Sequence, residues 1–110
     1  MSTAQSVGAA LTTTAADIFT VPAGQVAHII GVVAANVDGT DPVDVTVQWT
    51  DASNADAVTR LVLGLTVAAS DSRSCLASPI ALAAGDKLQS LASADSDAEI
   101  TVTYYTEDAS

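Results

Sequence analysis

Cationic residues are scarce in this chain. Three Lys and Arg stand against thirteen Asp and Glu over 110 residues, a formal charge of −10. Every phosphate contact wants a cation, and Arg60, Arg73 and Lys87 are scattered along the sequence. Nucleic acid and an anionic membrane surface are therefore excluded as expected partners. Cys75 is alone, so no intrachain disulfide is available. His28 is the only histidine, and without a Cys or His cluster a zinc site lacks its donors. No stretch reads G-x-G-x-x-G or G-x-x-x-x-G-K, the glycine patterns of phosphate-cradling loops. No apolar run approaches the ~20 residues of a membrane helix. Residues 1–8 lack the basic stretch and apolar core of a signal peptide. We therefore expect a protein made and kept in a reducing cytoplasm until assembly.

Aromatic residues are few as well: one Trp, one Phe and two Tyr. Hydrophobic residues still make up 49%, many of them Ala. The core must then be thin and aliphatic, built from Val, Leu, Ile and Ala. A single domain of this size hides only about two-thirds of the surface its unfolded chain exposes. Packing against further copies would add burial.

Helical periodicity is missing, and strand alternation takes its place. Val43, Val45, Val47 and Trp49 interleave with Asp44, Thr46, Gln48 and Thr50, which is a period of two with one apolar and one polar face. Ile100, Val102 and Tyr104 alternate with Glu99, Thr101, Thr103 and Tyr105. A third run sets Leu61, Leu63, Leu65 and Val67 against Arg60, Val62, Gly64 and Thr66. Turn signals separate these runs. Val21-Pro22-Ala23-Gly24 has the Pro and Gly of a type II turn. Asp38 to Pro42, Asp51 to Asp56, Ala83-Ala84-Gly85-Asp86 and Ala94 to Asp97 make further breaks. The pattern predicts an all-β domain over 15–107, an antiparallel β-sandwich or jelly roll. About eight short strands are expected, near 6–12, 17–21, 25–36, 43–50, 57–67, 72–77, 87–92 and 98–106. Residues 1–14 read as an arm or an edge strand, and 108–110 as a tail. The expected core holds Ile30, Val32, Val45, Val47, Trp49, Leu61, Leu63, Ile100, Val102 and Tyr104.

The strand Gln25 to Asn36 is apolar on both faces, with Val26, Ile30 and Val32 on one and Ile29 and Val33 on the other. Such a strand is usually covered on both sides. One face would meet the core, and the other would need a loop or a neighbouring subunit. Tyr104 and Tyr105 are adjacent and so face opposite ways, leaving one free for a partner. Val26, His28, Ile29, Val33 and Tyr105 are thus the candidate interface.

Catalytic residues are not expected, nor any cofactor. A lone strand histidine such as His28 is more often packed or interfacial than catalytic, and Cys75 reads as a small buried apolar residue. The acidic loops, with Asp38 and Asp41, Asp51 and Asp56, Asp95 and Asp97, offer oxygens that calcium could use. Asp is also a common turn residue, which accounts for the same pattern.

Several segments carry a family likeness. They are Phe19-Thr20-Val21-Pro22-Ala23-Gly24-Gln25-Val26-Ala27-His28-Ile29, then Ala35-Asn36, then Val45-Thr46-Val47-Gln48-Trp49-Thr50-Asp51. Pro79-Ile80-Ala81-Leu82-Ala83-Ala84-Gly85-Asp86-Lys87-Leu88 and Thr101-Val102-Thr103-Tyr104-Tyr105 follow. This resembles the small β-rich virion proteins of tailed bacteriophages, with a V-P-A-G turn, a later L-x-x-G-D-x-L turn and a closing alternating strand. The resemblance covers most of residues 17–107. Members of that loose group occur on heads, at tails and in fibres. The short chain, without long repeats or a carboxylate constellation, is most similar to capsid decoration, or cement, proteins. That resemblance implies a homotrimer on the outside of the shell, bound to the major capsid protein and bridging capsomers. A tail or head-fibre component, structural or receptor-binding, is the alternative, and a lectin-like carbohydrate-binding sandwich is a third reading.

Overall fold

In the computed structural model, residues 3–109 are described. Nine strands run through them: β1 (Gln5–Ala10), β2 (Ala16–Thr20), β3 (Gln25–Asn36), β4 (Val43–Asp51), β5 (Ala57–Val67), β6 (Ser72–Ser74), β7 (Ile80–Leu82), β8 (Lys87–Ala92) and β9 (Ala98–Asp108). The only helical piece among these residues is one 3-10 turn, Ala52–Asn54. Two antiparallel sheets face each other. The first has the order β1-β9-β3-β6, with β7 also on β3; the second has the order β2-β8-β4-β5. The antiparallel sandwich expected from alternation is therefore what forms. One strand is added because the expected 72–77 run stops at Ser74 and a separate strand opens after Pro79. Both short strands pair with β3, at Val33–Ala35 and at Ala27–Ile29.

The core lies between the sheets and is aliphatic. Ala27, Ile29, Val32 and Ala34 of β3 and Ile100 and Val102 of β9 meet Val43, Val45 and Val47 of β4 and Leu88 of β8. Leu11, Val21, Val67, Cys75 and Leu82 close the edges. Val32, Val45, Val47, Ile100 and Val102 thus sit where the alternation puts them. Trp49, Leu61 and Tyr104 are half-buried and pack on the core from its rim. Ile30 and Leu63 are corrections: they are 43% and 74% exposed.

Bulges cause both departures. An extra residue in one strand reverses which side its neighbours face. In β3 the pairing with β9 passes from Ile29↔Tyr104 to Gly31↔Thr103, so Ile30 is the extra residue. Side chains before it point inward at 27 and 29, and those after it at 32 and 34. In β5 the partners of Val45, Val47 and Gln48 are Leu65, Val62 and Arg60. Two irregularities in so short a span break the Leu61, Leu63, Leu65 alternation. Gly64 makes the first possible, with φ at +63° and its N–H donating to Thr46 Oγ1 at 3.0 Å.

Buried polar side chains lock the loops. Asp86 is 3% exposed, yet both its carboxylate oxygens are engaged. Oδ1 accepts from Ala52 N at 2.9 Å and Oδ2 from Ala83 N at 3.0 Å. It thereby ties the 3-10 turn after β4 to the β7–β8 turn, where Gly85 takes the positive φ of +87°. Asn36 does the same at the other end: its Nδ2 donates to Asp41 O and Val67 O, and its Oδ1 accepts from Asp38 N. The turn after β2 closes one residue later than expected, from Gln25 N to Pro22 O, with Gly24 at φ +76°.

Two outcomes follow. Asp86→Ala leaves two buried N–H groups without acceptors and should cost about 2–4 kcal/mol, a fall of roughly 10–20 °C in melting temperature for a domain of this size. Asp41→Ala, on an exposed loop, should shift melting by less than about 0.5 kcal/mol in the same denaturation series. Cys75 provides the second test. It is 2% exposed, and burial pushes its thiol above the ordinary range, against weaker lowering by the Ala34 backbone and Arg73. Its thiolate is the reactive form, so labelling by a thiol-specific disulfide reagent at neutral pH should be slow in the folded protein and complete in denaturant. The linkage has a sign: the unfolded thiol ionises first as pH rises, so this group's contribution to stability falls above the ordinary thiol range.

Candidate functional site

The outer face of the first sheet gathers the candidate interface. On β3, residues 26, 28 and 33 point away from the core, and on β9 residues 99, 101, 103, 105 and 107 do the same, because their neighbours 27, 29, 32, 100 and 102 are buried. His28 is opposite Tyr105 in the ladder, and their rings stack with centroids 4.6 Å apart and planes 15° from parallel. Glu107 reaches the same imidazole, with Oε2 3.7 Å from His28 Nε2. The half-buried Val26 is paired with Glu107. Val33, 43% exposed, lies further along the strand.

Val26, His28, Val33 and Tyr105 therefore share one surface. Ile29 does not belong to it. It has no exposed area and packs in the core, because the inward row before the bulge falls on odd positions. Ile30 takes its place on the outside. The sequence carried a signal for this exchange: an isolated glycine inside a strand often marks a bulge, and Gly31 directly follows Ile30. Glu107 was also missed, since it falls in the segment read as leading into a loose end. β9 in fact runs to Asp108, and Ala109 N donates to Gly24 O at 2.9 Å.

Apart from these groups the face carries mostly small or hydroxylated side chains. Thr101 and Thr103 line β9, Gly31 sits opposite Thr103, and Ser6 of β1 and Thr103 share a hydroxyl contact of 3.0 Å. A stacked His–Tyr pair with a carboxylate beside it can dock a planar or cationic side chain. As a general base the imidazole has no third group other than Glu107, which is more than half exposed.

The remaining candidates lie elsewhere. Cys75 is buried on the far side of β3 from this surface, its N–H donating to Val32 O at 2.7 Å. The acidic loops hold themselves: Asp51 accepts from Ser53 N and Oγ, Asp38 from Thr40 N, and Asp95 from Thr13 N. Among the described residues no three His, Cys, Asp or Glu side chains gather into a set that could hold a metal ion. The segment 1–14, read as an arm or an edge strand, carries edge strand β1 over Gln5–Ala10, and positions 1, 2 and 110 lie outside the described residues.

No family model matches the chain, and no curated protein does. Solved structures do share its fold. A chain of the disulfide-linked pili of Bacillus endospore appendages superposes with a TM-score of 0.58 at 16% identity, covering 100% of this chain and 88% of that one. A chain of the acid-stable capsid of Helicobacter pylori bacteriophage KHP30 superposes with a TM-score of 0.57 at 13% identity, over 94% of this chain and 86% of that one. A chain of the cyanophage Pam1 capsid reaches a TM-score of 0.42 at 18% identity. At these identities the likeness is one of fold: this chain is a two-sheet antiparallel sandwich of a kind also found in a phage capsid and in a bacterial surface appendage.

Proposed function

We propose that this protein is a structural component of a phage virion, and within that class a decoration protein that binds the outside of the head shell and strengthens it. The observation that carries the reading is the strand order. We read the sheets ordered β1-β9-β3-β6 and β2-β8-β4-β5 as supporting a jelly roll, an architecture of viral capsid and lectin domains. The fold shared with a KHP30 capsid chain supports the capsid branch, and so does the resemblance of the V-P-A-G and L-x-x-G-D-x-L segments to small virion proteins. The scarcity of aromatics disfavours the lectin branch, where sugar rings stack on such groups.

In this role the domain acts through contact free energy. The His28–Tyr105 surface, with Val26, Ile30 and Val33, is the face assigned here to the major capsid protein or to neighbouring copies in a homotrimer. Each contact of standard size covers about 800 Å² per partner. Bridging several capsomers raises the attachment well above any single contact, because later contacts form at high effective concentration. The charge of −10 suits basic patches on the shell and leaves packaged DNA unattracted.

A pilus subunit is the reading raised by the appendage likeness. The single cysteine of the chain is buried in the core, so a disulfide-linked assembly has no thiol to use. A tail or head-fibre role keeps the same fold at lower copy number.

The test is made on particles lacking this chain. Purified protein added back should raise the temperature of DNA release by several degrees. Val33→Asp, placed on an exposed position, should leave the domain's own melting within about 0.5 kcal/mol and abolish the protection. Equal release temperatures with and without wild-type protein would remove support for the decoration role.

A further inference from the structure

β1 ends the first sheet, and its far edge is unpaired by any described strand. Open edges invite pairing with other chains, and proteins normally guard them with charge, proline or brevity. The other edges here are guarded. β2 carries Asp17, β5 carries Arg60, β6 carries Arg73, and the short β7 follows directly on Pro79. β1 has six residues and no guard, and no charged side chain occurs anywhere in residues 3–16. In a chain with a formal charge of −10, two copies meet along this uncharged edge with little local repulsion.

The geometry of the edge is self-complementary. Leu11 N donates to Ala98 O at 2.8 Å, and the register runs unbroken from Gln5↔Tyr104 to Ala10↔Glu99. Antiparallel alternation then turns the main-chain groups of Val7 and Ala9 toward β9 and those of Ser6, Gly8 and Ala10 toward the open edge. We propose that β1 pairs antiparallel with β1 of a second copy, about a two-fold axis through Gly8, joining the first sheets of the two copies into one.

In that register Ser6 faces Ala10 of the second copy, Gly8 faces Gly8, and Ala10 faces Ser6. Each pair exchanges both main-chain hydrogen bonds. The inward row pairs Val7 with Ala9. Both are half-buried on the core rim of the single chain, and each would cover the other. The outward row holds only Ser, Gly and Ala, so nothing bulky stands at the axis. A two-fold contact repeats the same patch on both partners, as isologous interfaces do. It stands apart from the shell-binding reading, since it concerns copies of this chain alone; on a shell of trimers it would tie one trimer to the next.

The experiment is sedimentation velocity on the purified chain across concentration and salt. Gly8 is not in the left-handed region, and a Cβ there would meet Ile100 O at 3.5 Å, an ordinary contact. Substitutions at Gly8 should therefore fold. The wild type is expected to dimerise, more tightly as salt screens the acidic surfaces. Gly8→Pro, which removes a donor from the edge, and Gly8→Lys, which sets two cations face to face, should each weaken the dimer at least tenfold with melting unchanged. Gly8→Cys in a Cys75→Ala background should form a symmetric disulfide on mild oxidation, since opposed hydrogen-bonded residues lie about 5.5 Å apart. A chain that stays monomeric and does not cross-link overturns the proposal, as does a dimer indifferent to all three changes. Loss of particle binding by Gly8→Pro in a monomeric protein also overturns it, in favour of a strand supplied by another protein.

Discussion

The pairing of β3 with β9 is the interaction on which the rest of the structure depends. It joins the second quarter of the chain to its end, and closing so long a loop carries an entropic cost before any contact repays it. The ladder repays it over its whole length, from Gln25↔Asp108 to Asn36↔Ala98. Among the described residues, β1, β6 and β7 pair with these two strands alone. The central row of the core, Ile29, Val32 and Ala34 with Ile100 and Val102, exists only once this ladder has its register. A domain built on such distant pairings is expected to fold slowly.

One residue in that ladder sets both faces. The bulge at Ile30 moves the inward row from odd to even positions. It sends Ile29 into the core and leaves Ile30 and Val33 in water beside the stacked His28 and Tyr105. The exposed surface and the core are therefore two consequences of a single register shift. A strand apolar on both sides becomes coherent on these terms: one row is consumed by the sandwich, and the other remains for a neighbour.

The fold was legible in the sequence because alternation is a local signal. Val43 to Val47 and Ile100 to Val102 keep their period undisturbed, and the turns at Gly24 and Gly85 announce themselves by the glycine that each positive φ requires. Legibility ended at the bulges, where period-two counting misplaced Ile30, Leu63 and Ile29. Gly31 and Gly64 sat beside two of these errors and could have flagged them. The candidate surface was legible as residues on one strand, but its composition was not. The His28–Tyr105 stack and the reach of Glu107 depend on cross-strand register, which only the pairing of distant segments creates. Asp86 looked like a turn residue within a family motif; its role as the acceptor that joins two loops depends on the 3-10 turn after β4, which alternation does not encode.

In the proposed role the sandwich is carried on the outside of a phage head, with the β3–β9 face toward its support. The most direct measurement is an electron cryomicroscopy difference map between virions with and without this chain. Density for the sandwich is expected on the outer shell at three-fold positions, oriented with Tyr105 and Val33 against the capsid protein or a neighbouring copy. Difference density confined to the tail or fibres, or shell density with that face turned to solvent, would contradict it.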